Sequence, residues 1–300
     1  MDPPPPNLAR FSGFADLYDA NRPMAPDRLG PLLARYAGSE RPLVVDLGSG
    51  TGLSSRWAAG WAGRVIGIEP NDDMRAVSVA RGTPGVEYRA GVSHATGLAA
   101  DSADVVIAVQ AMHWMEPTST HAEVARILRP GGVFAIVDAD WPPVSGVVAA
   151  EEAWVAVHQR IRVLEARLAR GLEGAALRAP IDSGDPELVA DDLADPHLNR
   201  TMPGDARSWS KRDHLRRLRA SGHFAYAREI LMDQDVSGGA AAFVALLRSQ
   251  GSYQHLVKAG LDDDEIGMPA FADAVAVAFA AAGPAALSFS YRARIGVTPR

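Results

Sequence analysis

The nine residues "VVDLGSGTG" at 44–52 constrain this chain more than any other stretch. An apolar, strand-forming run gives way directly to an acidic residue and three glycines at alternate positions. Glycine adopts positive φ without strain and places no Cβ between the backbone and an approaching group. A strand ending in such a loop, with helical sequence from 53 onward, fits the crevice outside the carboxyl ends of a parallel sheet, where open α/β folds bind ligands. A tight turn with close helix-to-strand packing is the plainer explanation of the same glycines.

The surrounding sequence has the matching rhythm. Short apolar runs at 43–47, 64–68, 86–90, 103–109 and 132–138 alternate with helical patterns near 53–62, 72–81 and 118–128. Parallel strands require crossover connections, so this alternation predicts a parallel sheet with helices on both faces. "LRPGG" at 128–132 reads as a helix stop and turn before the fifth strand. A further helix is expected at about 26–37, ending at Gly38.

From Trp141 the rhythm breaks. An amphipathic helix is expected over 146–170, then a Gly, Pro and Asp-rich segment at 171–207 and a basic helix near 210–221. Two late strands at 224–236 and 286–297 are separated by helical material at 238–282. Alternation in the last run fits an antiparallel strand at or near the sheet edge. The expected architecture is α/β: a Rossmann-like, seven-stranded, mostly parallel sheet with an antiparallel late strand and helical cap insertions. Residues 1–40 would form N-terminal cover helices and 41–141 with 223–300 the core, while 142–222 and 237–284 would be inserted as the cap.

Composition removes several classes of function. The chain of 300 residues carries 30 basic and 36 acidic residues without a long block of either sign, so nucleic acid is not the expected partner. The densest basic stretch, "KRDHLRRLR" at 211–219, reads as a solvated helix face with Leu215 and Leu218 as its buried stripe. Absence of cysteine excludes disulfides, thiolate metal sites and cysteine nucleophiles. His158, His197 and His214 lack metal-ligand spacing, and "LDDDEIG" at 261–267 lacks the alternating oxygens of a calcium loop. No metal is therefore expected. Without a leader pattern or an apolar run long enough to span a bilayer, the simplest expectation is a cytoplasmic protein with no membrane partner.

The ligand of the glycine loop is narrowed by spacing. A dinucleotide fingerprint requires glycine at position 53, which is Leu53, and a P-loop requires a Gly-Lys-Ser/Thr ending where this chain reads "GLSSR". Asp46 disfavours an anionic ligand beside the loop. Glu69 ends the second strand, at an offset suited to accepting hydrogen bonds from ribose hydroxyls. A ribose with a cationic, amino-bearing tail satisfies both carboxylates, and S-adenosylmethionine is such a molecule.

"VVDLGSGTG", followed by "VIGIEPNDDM", "GVSHATGLAADSADVVIAVQAMHWM" and "LRPGGVFAIV", resembles the class I S-adenosylmethionine-dependent methyltransferases from about Phe11 to Asp138. With "FADLYDANRP" and the "HW" after the fourth strand, it is similar to the small-molecule branch that includes trans-aconitate methyltransferase and many bacterial natural-product enzymes. The resemblance implies methyl transfer to a small-molecule oxygen, nitrogen or carbon, with S-adenosylhomocysteine as product. It also implies that Gly48, Ser49, Gly50 and Gly52 line the methionine portion of the cofactor, that Asp46 anchors its amino group and that Glu69 binds the ribose. Pro70 and Met74 would lie along the adenosine, with Ser93 and His94 at the adenine amino group. Gln110 would pass the methionine moiety, and Tyr18 and Arg22, with Phe11 and Phe14, would fold across it.

His113 and Trp114 fall where cofactor and acceptor meet and are the candidate catalytic residues. A histidine near its unperturbed pKa of about 6.5 suits proton removal, and an indole face attracts a sulfonium methyl or stacks on a flat acceptor. Ser252, Tyr253 and His255 are further candidates on an acceptor-facing helix, and Arg22 with Arg248 would suit a carboxylate acceptor. RNA or protein methylation, and cofactor binding without transfer, are the alternative readings.

Overall fold

The structure, a computed structural model, describes residues 13–181, 208–283 and 285–300. Phe11 and His197 lie outside the described residues, as does most of the 171–207 segment. The sheet consists of β1 (Leu43–Leu47), β2 (Arg64–Ile68), β3 (Val86–Arg89), β4 (Ala103–Val109), β5 (Leu128–Ala139), β6 (Tyr226–Ser237) and β7 (Ala286–Val297). Its strand order is β3-β2-β1-β4-β5-β7-β6. Strands β1 to β5 pair in parallel, and β7 runs antiparallel to both β5 and β6. This is the expected Rossmann-like sheet. The chain order reverses between β1 and β4, which opens a crevice at their carboxyl ends.

Successive side chains on a strand point to opposite faces, so neighbouring residues feed different cores. Val44 and Ile107 face one layer with Leu33 of α2 (Leu29–Ala37) and Trp57 of α3 (Leu53–Ala59). Val45 and Val106 face the other with Val124 and Ile127 of α5 (Pro117–Ile127). The central strands, buried on both sides, are therefore nearly continuous apolar runs. Helix α4 (Asp72–Ala80) starts at Asn71, whose side chain accepts the Met74 N–H at 3.1 Å, and carries Asp72 and Asp73 where the helix dipole favours negative charge.

Trp154 of α6 (Val148–Ala169), Phe243 of α9 (Ala240–Arg248), Tyr253 of α10 (Gly251–Lys258) and Phe271 of α12 (Met268–Ala282) belong to the same buried cluster as the first face of the sheet. The helices of both inserted segments thus share the sheet's core. "LDDDEIG" forms a capping box, with Asp262 accepting the Glu265 N–H at 2.8 Å and Glu265 accepting the Asp262 N–H at 2.9 Å. Among the described residues no helix is long and apolar enough to cross a membrane.

One local detail differs from the sequence reading. Helix α5 stops at Ile127 and Leu128 already pairs with Ala103, while Val133 pairs with Val105. The Pro130-Gly131-Gly132 turn is thus an excursion inside β5, because proline cannot donate to the ladder and Gly131 turns with φ +76°.

Candidate functional site

The crevice between β1 and β4 holds a cavity of about 380 Å³, within the ordinary range for small-molecule sites. The loop after β1 is fixed by the neighbouring strand: the Gly48 and Ser49 N–H groups both donate to the Ile68 carbonyl, at 2.9 and 3.2 Å. Gly48, Gly50 and Gly52 all have positive φ, but for different local reasons. A Cβ on Gly48 would lie 2.9 Å from both Ala111 Cβ and Met115 Cε, and one on Gly52 would overlap the Tyr88 hydroxyl. A Cβ on Gly50 meets nothing within 4 Å. Gly52 therefore serves helix-to-strand packing, whereas Gly50 leaves bare backbone beside the cavity.

That difference is testable. Both alanine substitutions incur the left-handed penalty of about 1–2 kcal/mol, and Gly52→Ala adds a clash inside the fold. The expected result is that Gly52→Ala lowers the thermal midpoint well beyond Gly50→Ala. Equal thermal shifts would contradict the assignment.

Glu69 faces this loop from the end of β2. Its Oε2 accepts the Gly50 N–H and its Oε1 the Asn71 N–H, each at 2.8 Å. The carboxylate is thereby held rigidly, with capacity on each oxygen for one further donor. Burial raises its pKa, opposed by those two N–H bonds and by Arg75. Asp46 is fully buried one layer deeper. Its Oδ2 accepts from Ser54 Oγ and Ser55 Oγ at 2.7 and 2.6 Å, while Oδ1 has no partner among the described residues. Burial is the main cause that lifts its pKa to about 7, against the pull of the two serines.

Ser49, Gly50, Glu69, Pro70 and Met74 line one side of the cavity, with Ser93 and His94 beyond them. Gly48, Gln110 and Trp114 line the β1–β4 side, and Tyr18 and Arg22 close over it from α1 (Ala15–Asn21) and its end. Asp46, Gly52 and His113 lie behind this wall. The Arg22 guanidinium lies 4.9 Å from the Tyr18 ring centroid and 4.6 Å from that of Trp141. It donates to the Ser249 carbonyl and to Gln250 Oε1, both at 3.1 Å, and its buried Nε has no partner among the described residues.

The structure does not bring the second set of candidates to the cavity. Arg248 is bound to Asp263 at 2.6 Å, the Tyr253 hydroxyl also donates to Asp263, and His255 Nδ1 lies 3.5 Å from Glu165. Ser252 is likewise not in the cavity wall. Arg248 at the end of α9 and Tyr253 and His255 of α10 are engaged in these contacts, so the expected pairing of Arg22 with Arg248 is not formed.

The largest correction concerns Lys211. It is buried in the short 3₁₀ turn Lys211–Asp213 that precedes α8 (His214–Ala220), and its Nζ donates to Gln110 Oε1 at 2.8 Å and lies 3.3 Å from Asp138 Oδ1. Leu218 is buried as expected, and Leu215 is only half-buried. Asp138 also accepts from Arg294 Nη1 at 2.8 Å, with His113 Nδ1 at 3.9 Å and His214 Nε2 at 3.8 Å. Burial pushes Asp138 upward, but Lys211, His214, His113 and Arg294 together outweigh it and hold the carboxyl well below its usual range. Burial lowers the His214 ring to about 4, so at neutral pH that contact joins a carboxylate to an uncharged imidazole.

Asp138, Lys211, Trp141 and Met115 were not singled out from sequence as site residues. Asp138 did carry a signal: a lone carboxylate inside the apolar run "VFAIVDA" must find a partner once buried. Nothing local identified Lys211, whose neighbours Arg212 and Arg216 are exposed.

Comparison with known proteins agrees with this geometry. Residues 45–136 match a family model described as a methyltransferase domain. An uncharacterised methyltransferase of Mycobacterium bovis is 33% identical over 131 residues, covering 42% of this chain and 51% of that protein. A candidate methyltransferase of Dictyostelium discoideum is 29% identical over 127 residues, covering 42% and 48%. The aligned stretch thus spans about half the length of these curated relatives. A solved structure of a candidate type II methyltransferase from Anaeromyxobacter dehalogenans superposes with a TM-score of 0.57 at 23% identity, covering 93% of this chain and 99% of the other, and shares its fold. Residues 45–136 are therefore similar to a methyltransferase domain, set in a Rossmann-like sheet.

Proposed function

We propose that this chain transfers a methyl group from S-adenosylmethionine to a small-molecule acceptor and releases S-adenosylhomocysteine. The observation that carries the reading is the rigid Glu69 carboxylate facing the bare Gly50 backbone at the β1–β4 crevice. Two fixed oxygens suit a vicinal diol, and the absence of side-chain atoms at Gly50 lets a nucleoside approach the main chain. Asp46 Oδ1, Ser49 Oγ and Arg22 Nε, without partners among the described residues, fit a ligand bearing an ammonium and a carboxylate.

In this reading Glu69 holds the ribose hydroxyls, Met74 packs against the adenine and Ser93 with His94 borders its edge. Asp46 acts on the amino group from behind the glycine loop, while Tyr18 and Arg22 cover the amino-acid end. The bound cofactor supplies an electrophilic methyl on a sulfonium. The chain's task is to align an acceptor with that methyl and exclude water, which are large contributions to such a displacement. Trp114 and Trp141 in the wall, with Met24 and Met115, offer apolar surface for this. His113, whose ring meets that of Trp114 at 4.8 Å, is the proposed base for acceptors that lose a proton. Segments 142–222 and 237–284 are proposed to cap the acceptor side, joined to the cavity through Lys211 and through the Arg22 bonds to Ser249 and Gln250.

Calorimetric titration with S-adenosylhomocysteine should saturate at one site per chain. Methyl-labelled S-adenosylmethionine offered with carboxylic acids, phenols, amines, bulk RNA and protein should label a small molecule. No heat in the titration sinks the cofactor assignment, and label confined to RNA or protein sinks the acceptor class.

A further inference from the structure

Gln110 ends β4 with φ +53°, a conformation that non-glycine residues hold only where the surroundings enforce it. Its N–H donates to the Val137 carbonyl at 2.8 Å, which fixes the backbone. Its side chain is fixed by Lys211, whose ammonium can only donate. The 2.8 Å bond therefore identifies the amide atom facing the lysine as the oxygen, and the NH₂ group occupies the opposite position. Gln110 lines the cavity.

Lys211 is itself immobilised. Asp138 anchors its ammonium, Arg294 Nη1 anchors Asp138 at 2.8 Å, and Arg294 Nε donates to Glu229 at 2.6 Å. The same short segment holds the far end of the wall, where the Trp209 N–H donates to the His113 carbonyl at 2.7 Å. Cationic side chains stand on this side of the cavity, with Glu116 also among the lining residues. Among the described residues Arg22 donates hydrogen bonds only to the neutral oxygens of Ser249 and Gln250, and the Arg22 and Lys211 cations are near enough for mutual repulsion to lower the lysine pKa, after burial as the main cause. The carboxylate of Glu69 stands at the other side. A ligand with a diol at one end and an anionic oxygen at the other matches that polarity.

We propose that Lys211 is a positioning residue that locks the Gln110 amide with its NH₂ toward the cavity, where it donates to the carboxylate at the amino-acid end of the bound nucleoside. The inference rests on the proposed function. It assigns a role to the 208–213 segment, outside the part of the chain that matches the methyltransferase domain.

The test is a double-mutant cycle of Lys211→Met and Gln110→Leu, read by calorimetric titration with two probes. S-adenosylhomocysteine carries the amino-acid end, and 5′-methylthioadenosine has the same nucleoside and sulfur without it. Lys211→Met should weaken S-adenosylhomocysteine about tenfold and leave 5′-methylthioadenosine unchanged. In the Gln110→Leu background it should cause no further loss, and Lys211→Arg should restore most of the affinity. Unchanged S-adenosylhomocysteine binding, equal losses for both probes, or additive losses in the cycle would each overturn the proposal.

Should Lys211→Met fail to fold, Gln110→Glu supplies the same decision. It keeps oxygens for Lys211 and removes the NH₂, so it must weaken S-adenosylhomocysteine selectively, and equal retention of both probes overturns the proposal. A wild-type chain that binds neither probe overturns the proposed function itself, an outcome distinct from binding that is insensitive to Lys211.

Discussion

Glu69→Ala is expected to weaken S-adenosylhomocysteine binding by two to four orders of magnitude while leaving the chain folded. Hydrogen bonds to a charged group contribute about 1.5–3 kcal/mol each, and a diol held on both carboxylate oxygens loses two of them together. Part of the loss arises before the ligand arrives, because the Gly50 and Asn71 N–H groups lose their acceptor and the loop loses its brace. Glu69→Gln should also bind poorly. Whichever way its amide is turned, the NH₂ faces a backbone N–H, so either the Gly50 or the Asn71 bond is broken. Calorimetry on both variants, with circular dichroism as the folding control, decides the matter. An affinity within threefold of wild type for Glu69→Ala would remove this residue from the site.

Asp138→Ala is expected to have the largest effect on stability. The carboxylate is buried against Lys211 and Arg294, and removing one partner of a buried charge cluster typically destabilises by about 3–5 kcal/mol, because the remaining cations keep their desolvation penalty. For a chain of this size that corresponds to a fall in thermal midpoint of about 5–8 °C. Asp138→Asn should lose less, since its amide oxygen can still accept from Arg294.

The sign of the pH dependence follows from the depressed pKa. Unfolded Asp138 titrates near the ordinary aspartate value of 3.8 and the folded group lower. Its stabilisation is therefore fully present above the unfolded pKa and is lost as pH falls through the folded one. The stability gap between wild type and Asp138→Asn should persist from pH 8 to about 5 and close only in stronger acid. A gap that instead narrows between pH 8 and 6 would contradict the depressed pKa assigned to Asp138.

The glycine loop and Glu69 were legible in the sequence because both sit in local patterns of fixed spacing: strand, turn and helix start for the first, strand end for the second. The sheet was legible for a related reason. Apolar runs such as "ADVVIAV" can be buried on both faces only in the interior of a parallel sheet, and "LSFSYRARIGV" alternates as an antiparallel strand with unequal faces does. The start of β5 was less accurate, expected at 132 and found at Leu128, because a turn-forming tripeptide sits inside the strand and local propensity is overridden by strand pairing.

Lys211 shows why the remainder was hidden. Among the basic residues of 211–219, exposure and burial are divided by tertiary packing: Arg212 and Arg216 meet solvent, while Lys211 is carried under the cavity wall. No sequence interval links it to Gln110, which is 101 positions away, or Asp138 to Arg294, separated by 156. The acceptor-facing role expected for Ser252, Tyr253 and His255 failed for the same reason, since helical periodicity tells which residues share a face but not which neighbour that face meets.

By itself, then, the amino-acid order determined the strand succession, the left-handed loop and the two carboxylates beside it, because backbone conformation and burial periodicity are properties of adjacent residues. Tertiary structure alone decided which cations were buried, which were paired and which glycine left its backbone bare to the cavity. Those outcomes depend on distances between segments far apart in the chain, and a buried charge is tolerated only where folding delivers its partner.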